Sequence, residues 1–181
     1  MKIAISAEST HDLGKDLVEK NGVCVIPYNI VLGDKIFKDG EISTEEIFTY
    51  VDQNGTLPKT NAINEYEYTE YFEQLRKEYD AVVHVCLSSG LSSSCSSAIR
   101  AGKNVSNVYV VDSLNLSTGI GLLVMYACQL RDKGVDAKTI YEMLESRKEK
   151  VQASFVIERL DYLYKGGRCN ALSLLGAHLL K

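Results

Sequence analysis

Short apolar segments alternate along this chain with segments whose apolar residues recur at helical spacing. Four of the short segments are rich in valine and isoleucine, as strands are: residues 2–6, 23–27, 81–87 and 108–111. A further strand is expected to begin at residues 154–157 (SFVI). The segment 81–87 (AVVHVCL) is apolar throughout, which is typical of a strand covered by helices on both faces of a sheet. This alternation predicts an α/β fold with a mostly parallel sheet flanked by helices.

Signals for helix ends lie between these segments. Ser43 with Glu46, and Asn64 with Glu67, have the residue types and spacing of a capping box. In that motif the two side chains bond reciprocally to the backbone of the first helical turn. Gly22 lies where a glycine commonly ends a helix. We therefore predict helices that begin after Ser43 and Asn64, and a helix that ends at Gly22.

Tyrosines recur at helical spacing in the second of these helices. The stripe consists of Tyr68, Tyr71, Phe72, Leu75 and Tyr79. Two interpretations are open: a core face whose hydroxyl groups reach water, or the lining of a ligand site. Core faces of this kind are more common, and we favour that interpretation.

His84 and the cysteines are expected to be structural. His84 lies within an apolar strand, where a hydrogen-bonded core histidine is more common than a catalytic base. The five cysteines are widely spaced and form no C-x-x-C pair, so we expect free thiols in the core. Cys95 is the exception, and we expect it to be exposed. Since no group of histidine, cysteine and aspartate has metal-ligand spacing, neither a metal nor a cofactor is predicted.

The composition excludes two classes of partner. The 181 residues carry a net charge of −4 and have a sequence pI of about 5.4, so no basic surface for nucleic acid is expected. The longest apolar run, residues 120–128, is far shorter than the roughly 18 residues that a membrane span needs. The first ten residues become polar too soon for a signal peptide. We therefore predict a cytoplasmic protein.

Four polar segments suggest where function lies. Residues 7–10, 87–91 and 112–113 each follow a predicted strand, and residues 58–61 lie in a predicted loop before the tyrosine helix. Ligands bind beyond the carboxyl ends of the strands in open parallel sheets. We expect all four segments at one edge of the sheet, rich in hydroxyl groups and poor in charge.

The densest of these segments is residues 88–97, here called the serine-rich segment, in which seven of ten residues are serine. Gly90 permits a tight turn, and a helix is expected to follow it. Hydroxyl groups and the N–H groups of a helix start favour an anionic oxygen such as a carboxylate or a phosphate. The alternative is that the serines only cap the helix and complete the turn. Because no nucleophile-and-base motif accompanies them, we predict that the protein is not an enzyme.

Six short motifs in order give the chain a resemblance to the DegV family of bacterial fatty-acid-binding proteins. They are Glu8-Ser9-Thr10, Val25-Ile26-Pro27, Pro58-Lys59-Thr60, residues 87–92 (LSSGLS), Val111-Asp112-Ser113 and residues 160–168 (LDYLYKGGR). The resemblance implies an α/β fold of two lobes and the binding of a long-chain fatty acid. It also implies a possible partner, a separate ATP-binding fatty-acid kinase that phosphorylates the presented carboxylate.

The resemblance also implies site residues. The family's carboxylate-binding threonine and serine match Thr60 and Ser89, and we expect Ser88, Asn61 and the N–H groups after Gly90 to assist them.

Further residues are assigned to the site because they belong to the same motifs. Ser9 and Ser92 are expected to bind the ligand, and Gly166, Gly167 and Arg168 are expected to form a turn of the second lobe.

The expected domain organisation is one lobe over residues 1–150, which carries the carboxylate site, and the beginning of an incomplete second lobe over residues 151–181. The apolar residues 172–181 either dock on the core or, if uncovered, make the chain a homo-oligomer. Two other functions stay open from the sequence: a hydrolase that uses a serine of the serine-rich segment, and a non-catalytic regulatory or interaction module.

Overall fold

The computed structural model describes residues 1–156 and 160–167, and the chain forms two compact units. The first unit combines Met1–Tyr28 with Ala62–Ala153. The second combines Asn29–Asn61 with the described residues from Ser154 onward. The expected division at residues 150 and 151 stays a prediction, and no sequence pattern indicated that residues 29–61 form part of a separate unit.

The helices and strands follow the predicted alternation. The strands are β1 (Ile3–Glu8), β2 (Cys24–Ile26), β3 (Asn29–Leu32), β4 (Lys35–Lys38), β5 (Lys59–Asn61), β6 (Ala81–Cys86) and β7 (Val108–Asp112). The α-helices are α1 (Lys15–Asn21), α2 (Thr44–Asn54), α3 (Glu65–Glu78), α4 (Ser94–Asn104), α5 (Thr118–Asp132), α6 (Ala137–Arg147) and α7 (Asp161–Lys165). Among these helices of the described residues, none is both long and apolar enough to cross a membrane.

The first unit contains a four-stranded sheet in the order β2-β1-β6-β7. Every neighbouring pair is parallel, so the predicted α/β architecture is confirmed. In the register of β1 and β6, Ser6 lies opposite His84, which places their side chains on the same face. The carboxyl ends of β1, β6 and β7 are therefore neighbours at one edge of the sheet.

The apolar side chains of this sheet alternate between two cores. Ile5 and Val83 lie on one face and pack in a core that includes Leu123 of α5. Val82 lies on the opposite face, in a core that includes Phe72 of α3. All five side chains are fully buried, which explains why the strand sequences are apolar throughout.

The predicted helix ends are largely confirmed. Ser43 and Glu46 form a capping box at α2, and Asn64 and Glu67 form one at α3. Gly22 ends α1 with a φ of 58°, a left-handed conformation that favours glycine. These signals work because a capping box is made by residues only three positions apart, so no distant contact decides it.

The second unit contains structure that the sequence did not indicate. Its sheet is antiparallel in the order β4-β3-β5, with β3 and β4 joined through a turn at Gly33, which has a φ of 59°. The lysines and asparagines of β4 and β5 are exposed, so these strands lack an apolar pattern. As a result, residues 59–61 were wrongly expected to be part of a loop.

The strand expected at residues 154–157 is wrong over the part that the structure describes. Residues 154–156 are in neither a helix nor a strand, and Ile157 lies outside the described residues. Phe155 and Val156 are 60% and 101% exposed, so their apolar side chains pack on no sheet face. Residues 172–181, with the expected docking or oligomer contact, also lie outside the described residues.

Candidate functional site

Three polar segments meet at the carboxyl edge of the first unit's sheet. The Leu87 N–H donates to Glu8 Oε2 over 2.6 Å, which joins the end of β1 to the residue after β6. The Ser89 N–H donates to Asp112 Oδ1 over 3.2 Å, which joins the serine-rich segment to the end of β7. For these segments of the first unit, the expectation of a shared edge is confirmed. The edge carries two carboxyl groups, so the expectation that it is poor in charge is wrong.

The turn of the serine-rich segment uses its own backbone donors. The N–H groups of Leu91 and Ser92 both donate to the Ser88 carbonyl oxygen, over 2.9 and 3.2 Å. The Gly90 N–H donates to Ser88 Oγ over 3.2 Å. The N–H groups of Leu91 and Ser92, which we expected to face a ligand, therefore have partners within the segment, as does the N–H of Gly90. This leaves hydroxyl groups as the main donors that the turn presents.

Two of the predicted ligand-binding serines make hydrogen bonds within the first unit, and their binding role stays a prediction. Ser9 Oγ accepts the Tyr28 N–H over 3.2 Å. Ser92 Oγ accepts the Ser94 N–H over 3.2 Å and the Tyr28 hydroxyl over 3.5 Å. Buried Ser94 in turn accepts the Ile63 N–H over 3.0 Å. For Ser92 and Ser94 the structural interpretation of the serine-rich segment accounts for these hydrogen bonds.

Ser89 differs from these serines. Its side chain is exposed, and its hydroxyl group makes no hydrogen bond to the described residues, while Asp112 fixes its backbone. A hydrogen-bonded backbone with an open hydroxyl group is what a preformed ligand donor requires.

The predicted site residues are distributed over both units. Five lie in the first unit: Ser9, Ser88, Ser89, Gly90 and Ser92. Thr60 and Asn61 lie in the second unit, on β5, with exposed side chains. Gly166 and Gly167 follow α7 in the second unit, and Arg168 lies outside the described residues. The predicted binding of one carboxylate by Thr60 and Ser89 stays a prediction.

A cavity of about 310 Å³ lies beside the serine-rich segment within the first unit. Its lining consists of Ser88, Gly90, Leu91, Leu114, Asn115, Leu116 and Ala153. Leu91 and Leu114 are 41% and 49% exposed, although leucine is usually buried. Small-molecule sites have volumes of about 300–1,000 Å³ and combine an apolar lining with a few polar groups. The cavity therefore has the composition expected for an amphipathic small molecule.

Glu8 is the residue of this edge that sequence reasoning did not assign to the site. Its side chain is fully buried at the end of β1. Oε1 accepts the Tyr68 hydroxyl over 2.5 Å, and Oε2 accepts the Leu87 N–H. Burial raises the pKa of this carboxyl group to about 7, although both hydrogen bonds act to lower it. The available signal was a charged residue at the end of an otherwise apolar strand (IAISAE).

The tyrosine stripe of α3 packs on the face of the sheet that carries the Glu8 side chain. It is a core face, as we favoured, but its hydroxyl groups do not all reach water. Tyr68 is fully buried and bonds to Glu8, and the Tyr71 hydroxyl bonds to Ser6 Oγ over 2.8 Å. The sequence misled here because the polar partners lie on β1, some 60 residues away along the chain.

His84 is a buried core residue, as predicted. Its Nδ1 bonds to Ser6 Oγ over 2.9 Å, and its ring lies edge-on to three aromatic rings of α3. Burial lowers the pKa of the imidazole to about 3, so the ring is neutral near pH 7. The Ser6–His84 pair is sealed from solvent, and it therefore has no access to a hydrolase substrate.

Cys95 corrects another expectation, because it is fully buried rather than exposed. The helix α4 begins at Ser94 and turns Cys95 into the core, in contact with the Cys86 thiol.

One group of side chains combines residue types that bind metals. Atoms of Glu8, His84 and Cys86 lie within 4.8 Å of one another, and His84 Nε2 has no hydrogen-bond partner among the described residues. Burial raises the pKa of the Cys86 thiol and so favours its protonated form, while both Glu8 oxygens already accept hydrogen bonds. We interpret the group as part of the hydrogen-bonded core.

Comparison with known proteins agrees with the motifs. A family model described as "uncharacterised protein, DegV family" matches residues 2–181. A DegV domain-containing protein of Caldanaerobacter subterraneus subsp. tengcongensis is 32% identical over 182 residues, which cover 98% of this chain and 65% of that protein. One from Halalkalibacterium halodurans is 33% identical over 187 residues, covering 99% of this chain and 65% of that protein. The chain therefore spans slightly less than two thirds of the length of these relatives.

Solved structures give the same result for the fold. A structure described as fatty acid binding of a DegV family protein from Thermus thermophilus has a TM-score of 0.85 and 30% identity, covering 97% of this chain and 64% of that one. A structure described as DegV, a fatty acid binding protein from Bacillus subtilis, has a TM-score of 0.84 and 31% identity, covering 93% and 61%. Because the family model extends along almost the whole sequence and the fold agrees, this chain belongs to the DegV family.

Proposed function

We propose that this protein binds a long-chain fatty acid and acts as a carrier, not as an enzyme. The observation that supports this most directly is the cavity in which Ser88 adjoins exposed Leu91 and Leu114. A fatty acid has the same division into a polar head group and an apolar chain. The DegV proteins of Thermus thermophilus and Bacillus subtilis are both described as fatty acid binding.

The proposed carboxylate donors are Ser89 and Thr60, with Ser88 and Asn61 in support. The open hydroxyl group and fixed backbone of Ser89 favour this role, and the Thr60 side chain is exposed on β5. Gly90 forms part of the turn that holds the exposed Ser89. Neutral hydroxyl donors suit a carboxylate that must bind and leave, because they avoid the large desolvation cost of a buried ion pair.

The acyl chain provides most of the gross binding free energy in this proposal. Burying about 14 methylene groups at about 0.8 kcal/mol each stabilises the complex by about 11 kcal/mol. Ordering the chain and losing free translation offset much of that gain. We therefore expect chain length to set affinity, and the hydroxyl groups to set head-group orientation.

We propose further that the carrier presents its carboxylate to a separate ATP-binding kinase, as the substrate-carrying subunit in the cytoplasm. This role is consistent with a site built from hydroxyl groups. Among the described residues, neither Ser88 nor Ser89 bonds to a histidine, so neither serine has a paired histidine as general base.

Removal of both proposed head-group donors tests the site. We expect the double variant Thr60→Val/Ser89→Ala to bind dodecanoate at least about 100-fold more weakly, since each of the two lost hydrogen bonds to a charged group costs about 1.5–3 kcal/mol. Isothermal titration calorimetry measures the affinity. Ser96→Ala is the matched control, because Ser96 is an exposed serine of the same segment.

Two results would contradict the proposal. One is the absence of any lipid in denatured, solvent-extracted protein together with no dodecanoate binding by the purified full chain. The other is unchanged affinity in the double variant, which would keep fatty acid binding but remove Thr60 and Ser89 from the site.

A further inference from the structure

We propose that Glu8 is a positioning residue of the carboxylate site and that it takes up a proton when a carboxylate ligand binds. This inference rests on the proposed function, which it deepens by adding a proton to the binding reaction.

Glu8 is placed to control the serine-rich segment. It occupies the last position of β1, and its Oε2 accepts the N–H of Leu87, the residue directly before the segment. Its Oε1 accepts the hydroxyl group of Tyr68 from α3. The side chain thus joins a strand, a helix and the start of the site through two short hydrogen bonds, and it fixes where the segment leaves the sheet.

A second carboxylate lies on the other side of the same segment. Asp112 Oδ1 accepts the N–H groups of Ser89 and Leu114, over 3.2 and 3.1 Å. Glu8 and Asp112 therefore contact the backbone at Leu87 and Ser89, two positions apart, which corresponds to about 7 Å of chain. An anionic head group at the Ser89 hydroxyl would lie close to both acids.

The described groups around Glu8 offer no positive charge to offset its own. From β6 it faces His84 and Cys86, from α3 Tyr68 and Tyr71, and from the segment after β2 Tyr28. Cys95 of α4 contacts Cys86, and Asp112 acts on the same thiol from β7. None of these described groups is a cation, because the pKa of His84 is lowered to about 3.

Protonation of Glu8 removes one of the negative charges that would repel one another when an anionic head group binds. Burial already raises its pKa to about 7, so a proton binds readily there, whereas Asp112 is only partly buried. A second anion nearby raises the affinity of Glu8 for the proton further. The protonated group keeps its place, because one oxygen still accepts from Leu87 while its O–H donates to the Tyr68 hydroxyl oxygen.

Calorimetry with dodecanoate tests the inference. Titrations of the full chain near pH 7.5 in two buffers of different ionisation enthalpy give the number of protons taken up. We expect about half a proton or more per dodecanoate for the wild type, and affinity about tenfold weaker at pH 8.5 than at pH 6.5. In Glu8→Gln, we expect the proton uptake and the pH dependence of the affinity to fall to what the dodecanoate head group itself contributes.

Three controls separate this role from a purely structural one. Glu142→Gln removes one acid at an exposed position of α6 and is expected to match the wild type. Glu8→Asp restores a titratable group and is expected to recover the proton uptake that Glu8→Gln lacks. Dodecanol, with an uncharged head group, is expected to bind wild type without proton uptake.

The outcomes distinguish the two proposals. Equal proton uptake by wild type and Glu8→Gln, with dodecanoate bound by both, overturns the role of Glu8 and leaves fatty acid binding intact. Failure of the wild type to bind either dodecanoate or hexadecanoate, which matches the proposed acyl chain of about 14 methylene groups, at any pH overturns the proposed function itself.

Discussion

The Glu8 carboxyl group is buried, and burial raises its pKa from an ordinary value of 4.5 to about 7. The unfolded chain loses this proton near pH 4.5, whereas the folded protein retains it up to about pH 7. Between these values the folded state binds more protons. The contribution of Glu8 to stability is therefore complete below pH 4.5 and is lost as the pH rises through 7.

His84 has the opposite effect on stability. Burial lowers its pKa from 6.5 to about 3, so between these values the unfolded state binds more protons. Its contribution to stability is present above pH 6.5 and is lost as the pH falls toward 3. Between pH 4.5 and 6.5, the effects of Glu8 and His84 on the pH dependence of the unfolding free energy therefore partly cancel.

Substitution of Glu8 separates its contribution to the pH dependence of stability from that of His84. Relative to the wild type, we expect the unfolding free energy of Glu8→Gln to rise by about 3 kcal/mol between pH 4.5 and pH 7.5, because the variant has no buried carboxyl group to ionise. Urea denaturation at a series of pH values measures this difference. A difference that stays constant with pH would show that Glu8 does not titrate inside the fold.

At the scale of elements, α5 packs closely on the short 3₁₀ turn Ser9–His11 that follows β1. A Cβ atom on Gly121 of α5 would lie 2.8 Å from the His11 carbonyl oxygen and 3.0 Å from a methyl group of Leu13. Backbone cannot move aside as a flexible side chain can. The glycine therefore sets the distance between the helix and the edge that carries the candidate site.

We expect Gly121→Ala to destabilise the protein by about 1–3 kcal/mol through this overlap, even though alanine is the better helix former by about 1 kcal/mol. The control is Gly14→Ala, where a Cβ atom meets nothing within 4 Å. Its expected effect is within about 0.5 kcal/mol. Thermal and urea unfolding of both variants provide the measurement, and a neutral Gly121→Ala would mean that α5 is free to shift.

What the sequence could predict at this scale depended on the range of the interactions. The capping box of Ser43 and Glu46 involves neighbours in the chain, and its prediction was confirmed. Glu8 was named in a motif but was given no role in the site, because its partner Leu87 is 79 positions away. β4 and β5 were not recognised because they bury few apolar side chains, so hydrophobic spacing gave no signal.

At the scale of the whole molecule, the two units differ in how much core they bury. The first unit contains both apolar cores of its parallel sheet. In the described part of the second unit, α2 has no buried residue, and Ile30 and Leu32 of β3 are the buried apolar side chains. Regions with few buried apolar contacts open more often than the rest of a protein.

This difference predicts a difference in hydrogen exchange. We expect backbone amides of α2 and β3 to exchange at least about 10-fold faster than those of β1 and β6, because opening the second unit exposes less apolar surface. Hydrogen–deuterium exchange read by mass spectrometry compares the two sets in one sample. Equal protection would indicate that the chain unfolds only as a single cooperative body.

The pairing of β3 with β5 also bears on how such a protein can change over evolutionary time. Asn29 and Asn61 are the ends of the stretch inserted into the first unit, and they lie opposite each other in the antiparallel register. Paired residues of this kind have Cα atoms only about 4.5–5.5 Å apart. The chain therefore leaves the first unit and returns to it at nearly the same point. Changes of length between β4 and β5 leave both the parallel sheet and the β3–β5 pairing that carries Thr60 unchanged, so this part of the insertion is free to diversify without altering Ser88, Ser89 or Thr60.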